Sequence, residues 1–258
     1  MSTSTHTLVM IDGGVATPAG FRAAGISAGI KASGKPDLAL VVSDRPATAA
    51  AVFTTNKAQA APVVVSREHL AVSGGIAQAI IVNSGCANAC TGADGERVAR
   101  GMAAITARHL GCETTQVLVA STGVIGVNLS LDKITAAMPT AMTALGADQS
   151  SAAAQGIMTT DPFPKEAAIR GSIDGRDITI GGTAKGSGMI EPMMATMLGF
   201  VTTDASVPLP LLQRALREVT DNTFNAITVD GECSTNDCVM MLANGASGVT
   251  IDESSYEV

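Results

Sequence analysis

Tryptophan is absent from this 258-residue chain; tyrosine occurs once and phenylalanine five times. A core without large rings must be filled by Ala, Gly, Val, Ile and Met. Hydrophobic residues still make up 46% of the chain, enough for a substantial core in one large domain or two small ones. Small side chains let backbones pack closely, which suits layered sheets and helices. Basic residues are in deficit: 16 Lys and Arg face 23 Asp and Glu, for a net charge of −7. That leaves no basic footprint for nucleic acid or an anionic membrane, so neither is an expected partner. No run of about 18 apolar residues occurs, so no spanning helix is expected. The start, MSTSTHTLVM, lacks the basic and apolar regions of a signal peptide. Cysteine is odd in number (Cys86, Cys90, Cys112, Cys233 and Cys238). Without a secretory signal, that points to reduced thiols in a cytoplasm. Cys86-Ala-Asn-Ala-Cys90 resembles half of a metal site, but no second pair completes it, and no metal is expected.

Histidine is also scarce, and none of His6, His69 and His109 sits in a motif-like turn. His69, after an Arg-Glu pair, and His109, at a helix end, read as surface or capping residues. This weakens any Ser-His-Asp or Cys-His mechanism. No G-x-S-x-G elbow is present. Lys185-Gly186-Ser187 inverts the order that ends a P-loop, so a nucleotide site has little support.

Short apolar runs bounded by turn residues predict strands at 38–43, 50–54, 77–83 and 116–120, the last ending in the turn Ser121-Thr122-Gly123. Helical spacing predicts a helix over 94–110, stopped by Gly111. A second, capped by Ser130, runs to about Leu145, with Pro139 kinking or splitting it. An Ala-rich helix follows Asp148 and ends near Met158 to Pro162. A hairpin pairs 166–171 with 176–181. A helix starts near Pro208, Val229 to Asp237 is a polar loop, and 238–243 is a last strand. Strand pairs mixed with helices predict an α/β or α+β multilayer sandwich.

Gly182 to Phe200, GTAKGSGMIEPMMATMLGF, is the most suggestive stretch. On pattern alone it is a Gly-rich turn entering a buried strand. A second reading is chemical. The dyad Ala195-Thr196 sets a hydroxyl next to its own preceding peptide bond. If that bond is cut, the freed α-amine of Thr196 supplies the base that its hydroxyl needs, and histidine becomes unnecessary. Such a site requires an oxyanion hole, for which Ser121-Thr122-Gly123-Val124 is a candidate. A cation for an anionic substrate could come from Lys185, although that lysine could equally be a solvated loop charge. Thr159 and Thr160 could simply end a helix before Asp161-Pro162. Asn83, Asn88, Asp230, Asn236 and Asp237 lie in polar loops that need side-chain hydrogen bonds in any case.

KGSGMIEPMMATMLGFVTTDA closely resembles the hallmark segment of the ornithine acetyltransferase (ArgJ) family. GFRAAGISAGIKASGKPDLALVVSD, AAAVFTTNKAQAAPV, IVNSGCANACTG, ASTGVIG, IMTTDPFPK, FNAITVDGECSTND and ANG resemble further family blocks, in family order, from about Gly20 to Gly245. The resemblance implies an αββα sandwich, DmpA/ArgJ-like, in one continuous domain. It implies self-cleavage between Ala195 and Thr196 into an α chain, 1–195, and the start of a β chain, 196–258, assembling as α2β2. Thr196, the new N-terminus, would take the acetyl group of N-acetylornithine as an ester and pass it to glutamate. Acetyl-CoA would be a co-substrate in some members, and no cofactor is implied. Thr122 and Gly123 match the oxyanion hole. Lys185, Thr196 and the Thr159-Thr160 pair match substrate contacts.

Cys86, Met193 and Cys238 depart from the Asn, Asn or Asp, and Thr usual at those positions. Family members also continue beyond Val258, so a C-terminally incomplete chain is expected, as a fragment or a truncation. Two alternatives follow: a threonine-type amidase or aminopeptidase on a related fold, with water as acceptor, or an inactive truncated fragment.

Overall fold

The apolar runs 38–43 and 50–54 are one bent strand of 16 residues, and the architecture turns on it. The computed structural model describes residues 8–173, 175–189 and 197–253. In chain order the elements are β1 (Val9–Ile11), β2 (Phe21–Ile26), β3 (Leu38–Phe53), α1 (Ala61–Val72), β4 (Ile76–Cys86), α2 (Gly92–Leu110), β5 (Val117–Val124), α3 (Leu131–Thr143), α4 (Ser150–Ile157), β6 (Lys165–Ile173), β7 (Arg176–Lys185), β8 (Leu198–Thr203), α5 (Leu209–Asn222) and β9 (Cys238–Ala243). The strands join in the order β1-β6-β7-β8-β9-β3-β4-β5, with β2 also on β3.

The first part of β3 pairs antiparallel with β2 and β4, and its last part with β9. Between them the register with β4 shifts, from Val42 to Ala47. Asp44, Arg45 and Pro46 fall in that gap and are exposed. Pro46 has no N–H to give a ladder, so an interruption is where a strand tolerates it. The bend divides the sheet into halves: β2, early β3, β4 and β5 in one; late β3, β9, β8, β7, β6 and β1 in the other.

Period-two alternation then sorts side chains into layers. Ala39 and Val41 of β3, Leu118 and Ala120 of β5, Leu198 and Phe200 of β8, and Met240 and Leu242 of β9 share one buried cluster between the halves. The opposite faces of the first half, with Leu40, Ile81 and Val119, pack on Met102 of α2 and on Ile134 and Met138 of α3. Val239 and Ala243 of β9 pack on Leu211, Leu212 and Leu216 of α5. The result is the expected αββα sandwich. Helix α4 closes one edge of the inner layer, lying on β2 and β3. It approaches so closely that a Cβ on Gly25 would stand 1.7 Å from the Ala152 carbonyl oxygen.

Several expectations are corrected. Strand β5 does not end in a turn at Ser121-Thr122-Gly123 but continues through them, paired in parallel with β4. Asn83 is in strand β4, not a loop. Helix α3 runs unbroken past Pro139, which is exposed on its solvent side. There a missing hydrogen bond costs no core contact. His69 is buried, not a surface residue; its Nδ1 is 2.8 Å from the Val117 carbonyl oxygen. His6 lies outside the described residues. Helix α1 was not legible, because Val63-Val64-Val65 reads as strand. Tertiary contact decides it: α1 covers β5, the terminal strand of the sheet, where Ser66 both donates to the Val119 carbonyl and accepts from its N–H, each at 2.7 Å.

Candidate active site

At one end of the molecule the inner layer stops being apolar. Thr122 continues the inward parity of Leu118 and Ala120 along β5. Lys185, the last residue of β7, is the cross-strand partner of Leu198, whose side chain faces the same layer. The two therefore meet from opposite half-sheets. Lys185 Nζ stands 3.4 Å from Thr122 Oγ1, and each residue is 2% exposed. The reading of Lys185 as a solvated loop charge is thereby overturned. Burial holds its ammonium below the ordinary lysine range, and the charges of Asp161 and Asp237 oppose that fall.

Gly123 follows with φ +131, and a Cβ there would come within 2.4 Å of the Gly85 carbonyl carbon and 2.6 Å of the Cys86 nitrogen. Only glycine allows β4 and β5 to approach in this way. Thr159 and Thr160 follow the C-terminal end of α4. The Thr160 hydroxyl lies 2.7 Å from that of Ser187, bridging to the loop after β7. A cavity of about 570 Å³ is lined by Thr122, Gly123, Thr159, Thr160 and Lys185, with Lys31 beside them. The five described residues that the family resemblance nominated, Thr122, Gly123, Thr159, Thr160 and Lys185, thus border one space. Ala195 and Thr196 lie outside the described residues. Their neighbour Met197 is described, immediately before β8.

Three features were missed by sequence reasoning. Asp161 organises one wall: Oδ1 accepts from Lys165 Nζ at 2.6 Å and the Gly186 N–H at 2.8 Å, and Oδ2 from the Thr159 N–H at 3.1 Å. Burial alone would raise this carboxyl. These donors, with the nearby Lys185 charge, outweigh it and hold Asp161 below the usual range. Lys31 donates to the Met158 carbonyl at 2.8 Å and the Pro36 carbonyl at 2.6 Å, tying the strand of chain before Thr159 to the 31–36 turn. The third feature is the loop before β9. Asn236 donates to the carbonyls of Ala87, at 2.6 Å, and Ser121, at 2.9 Å, and so fixes the peptide leading into Thr122. Its neighbour Asp237 accepts the Met197 N–H on Oδ1 at 2.8 Å. Among the described residues, no hydrogen-bond partner meets the buried Asp237 Oδ2. Burial pushes the carboxyl up to about 8, against the Met197 N–H and Lys185. Asn236 and Asp237 were read as loop residues satisfying local hydrogen bonds; the acidic spacing gave no sign that they span the two half-sheets.

A family model described as the ArgJ family matches residues 22–258. The chain belongs to the ArgJ family. It is 55% identical, over 92% of its length, to the "Arginine biosynthesis bifunctional protein ArgJ" of Symbiobacterium thermophilum, and covers 59% of that relative. It is 54% identical to the protein of the same description from Thermosynechococcus vestitus, covering 56% of it. The chain therefore spans less than two thirds of the length of these ArgJ relatives. Among solved structures it resembles the arginine biosynthesis bifunctional protein argJ of Bacillus halodurans, at 40% identity and TM-score 0.68, over 75% of this chain and all of that one. It also resembles an ornithine acetyltransferase complexed with ornithine from Mycobacterium tuberculosis, at 38% identity and TM-score 0.65, over 74% of this chain and all of that one. The fold of this ArgJ-family chain, the αββα sandwich, is the fold these neighbours share.

Proposed function

We propose that this chain provides the acyl-transfer site of an arginine-biosynthesis enzyme. It moves the acetyl group of N-acetylornithine to glutamate by way of an ester on Thr196. The observation that carries this reading is the convergence of Lys185, Thr122-Gly123 and Thr159-Thr160 on one cavity, with the residue after Thr196 entering the sheet beside Lys185. Thr196 attacks the peptide carbonyl of Ala195, and the resulting ester is hydrolysed. This separates an α chain, 1–195, from a β chain beginning at Thr196. The free amine then takes the proton of the Thr196 hydroxyl as it attacks the acetyl donor. Thr122 and Gly123 stabilise the oxyanion that forms, and the buried Lys185 adds positive charge where water is excluded. Thr159 and Thr160 hold the substrate. The enzyme needs no cofactor, accepts acetyl-CoA as a further acetyl donor, assembles as α2β2 and works in the cytoplasm. The names of the relatives support the pathway, and the ornithine in the Mycobacterium tuberculosis complex supports the substrate. The lengths agree as well: residues 1–195 of 258 are close to the share of this chain that matches each solved chain in full. No described helix is long and apolar enough to cross a membrane.

Intact mass after expression tests the first step. Two chains divided before Thr196 are expected, and one chain from Thr196→Ala. A folded wild-type chain that stays at 25.9 kDa sinks the cleavage. Turnover of N-acetylornithine with and without glutamate tests the second: release of ornithine without glutamate would assign the site to an amidase.

A further inference from the structure

Met189 and Met197, the described residues on either side of 190–196, are held by a single loop. On the upstream side the Met189 N–H donates to Asp230 Oδ2 at 2.5 Å. On the downstream side the Met197 N–H donates to Asp237 Oδ1 at 2.8 Å. Asp230 and Asp237 are the two ends of the loop before β9, seven residues apart, and the backbone amides they hold are eight apart.

The loop itself is anchored independently of that stretch. The Thr54 hydroxyl donates to the Ser234 carbonyl at 2.7 Å, and the Thr54 N–H to the Asp237 carbonyl at 2.9 Å. Ala60 N–H donates to the Thr235 carbonyl at 2.9 Å, and Asn56 Nδ2 to the Cys233 carbonyl at 3.0 Å. Asn236 adds its two bonds to Ala87 and Ser121. Glu232 N–H turns back to Asp230 Oδ1 at 3.4 Å, which orients that carboxylate toward Met189. Of these partners, Thr54 and Asn56 follow the end of β3, Ala60 precedes α1, Ala87 follows β4 and Ser121 lies in β5. The loop is thus anchored both to the end of β3 and, through Asn236, to the half-sheet that carries Thr122 and Gly123, and its two carboxylates reach the chain on either side of the 190–196 stretch.

We propose that Asp230 and Asp237 are positioning residues for the self-cleavage: by holding the backbone amides of Met189 and Met197, they set the chain on either side of the segment that contains the Ala195–Thr196 bond. The inference rests on the self-cleavage reading. Neither carboxylate needs to touch the reacting atoms. Each takes a backbone N–H from a flank, where a side chain could not substitute without moving the chain. Displacing a reacting peptide by about 1 Å costs on the order of a hundredfold in rate. The two differ in lifetime: Asp230 holds the side that ends up on the α chain, and Asp237 holds the β chain next to its new N-terminus.

The test uses the 258-residue chain and follows cleavage by intact mass over time. Asp230→Ala and Asp237→Ala are each expected to slow cleavage by about ten- to a hundredfold. Asp230→Asn and Asp237→Asn, which keep an oxygen acceptor at the same place, are expected to restore it to within about threefold. A folded Asp230→Ala chain that cleaves at the wild-type rate overturns the clamp; Asp230 is exposed, so this variant retains its fold. An Asn variant as slow as its Ala counterpart also overturns it, because a lost acceptor would not be the cause. Amide exchange in Thr196→Ala, which stays intact, separates this inference from the reading beneath it. Protected Met189 and Met197 amides, each released by its own Asp→Ala change, uphold the clamp even if the wild-type chain never cleaves. Unprotected amides overturn it even if the chain cleaves fully.

Discussion

At the scale of single residues, the site consists of groups held where water would normally solvate them. Asp237 and Asp161 make opposite demands on pH. Asp237 has a carboxyl raised from 3.8 to about 8 by burial. Its contribution to stability is complete below the ordinary carboxylate range and is lost as pH rises toward about 8, because ionising it in the folded state is costly. Asp237→Asn should therefore flatten the fall in unfolding free energy between about pH 4 and pH 8, measured by urea titration at several pH values. Asp161 is held below its ordinary value. Its contribution is present above that value and is lost as pH falls through the folded-state value. Asp161→Asn should remove part of the acid limb and leave the neutral limb unchanged. Gly123 is limited by space and by a positive φ. Gly123→Ala should cost about 1–3 kcal/mol or more and slow cleavage, because β4 and β5 must separate to admit the methyl group.

At the scale of elements, helices are set by what they cover. Ser66 serves both the N–H and the C=O of Val119 on the terminal strand β5. Ser66→Ala leaves two buried backbone groups unpaired and should cost about 1–3 kcal/mol, with faster amide exchange at Val119 as the local sign. Pro139 works the other way. It lies inside α3 on the exposed side, where its ring removes a hydrogen bond and crowds the preceding turn without taking away a core contact. Pro139→Ala should stabilise the chain, by up to about 3 kcal/mol before the gain in unfolded-chain entropy is subtracted. Helix α1 and strand β2 show why some elements were not legible. The valine run in α1 carries a strand's composition. β2 interleaves Arg22 and Gly25 among small residues, and only the approach of α4 explains why Gly25 is needed.

At the scale of the whole molecule, the two half-sheets share one inner layer and one continuous strand. Phe200, fully buried between them, belongs to both. Phe200→Ala should cost about 3–5 kcal/mol. It should lower a single unfolding transition, with circular dichroism and hydrogen exchange of β5 moving together, because neither half has a core without the other. A change confined to β6–β9, with β5 unaffected, would show that the halves unfold separately.

Local pattern alone determined much of this protein. Short apolar runs marked β4, β5, β8 and β9, helical spacing marked α2 and α5, and the ordered blocks from Gly20 to Gly245 identified the family and nominated Thr122, Gly123, Thr159, Thr160, Lys185, Ala195 and Thr196. These signals are legible because each is carried by residues close together in the chain. What only the tertiary structure decided is which groups meet. It made two apolar runs one bent strand, carried β5 through Thr122 and Gly123, buried Lys185 against Thr122, and assigned Asn236 and Asp237 to opposite half-sheets. The contacts of Lys185, Asn236 and Asp237 join segments 40 to 149 residues apart in the chain. A lysine before a glycine or an aspartate in a polar loop reads the same in the sequence whether it faces water or closes a site.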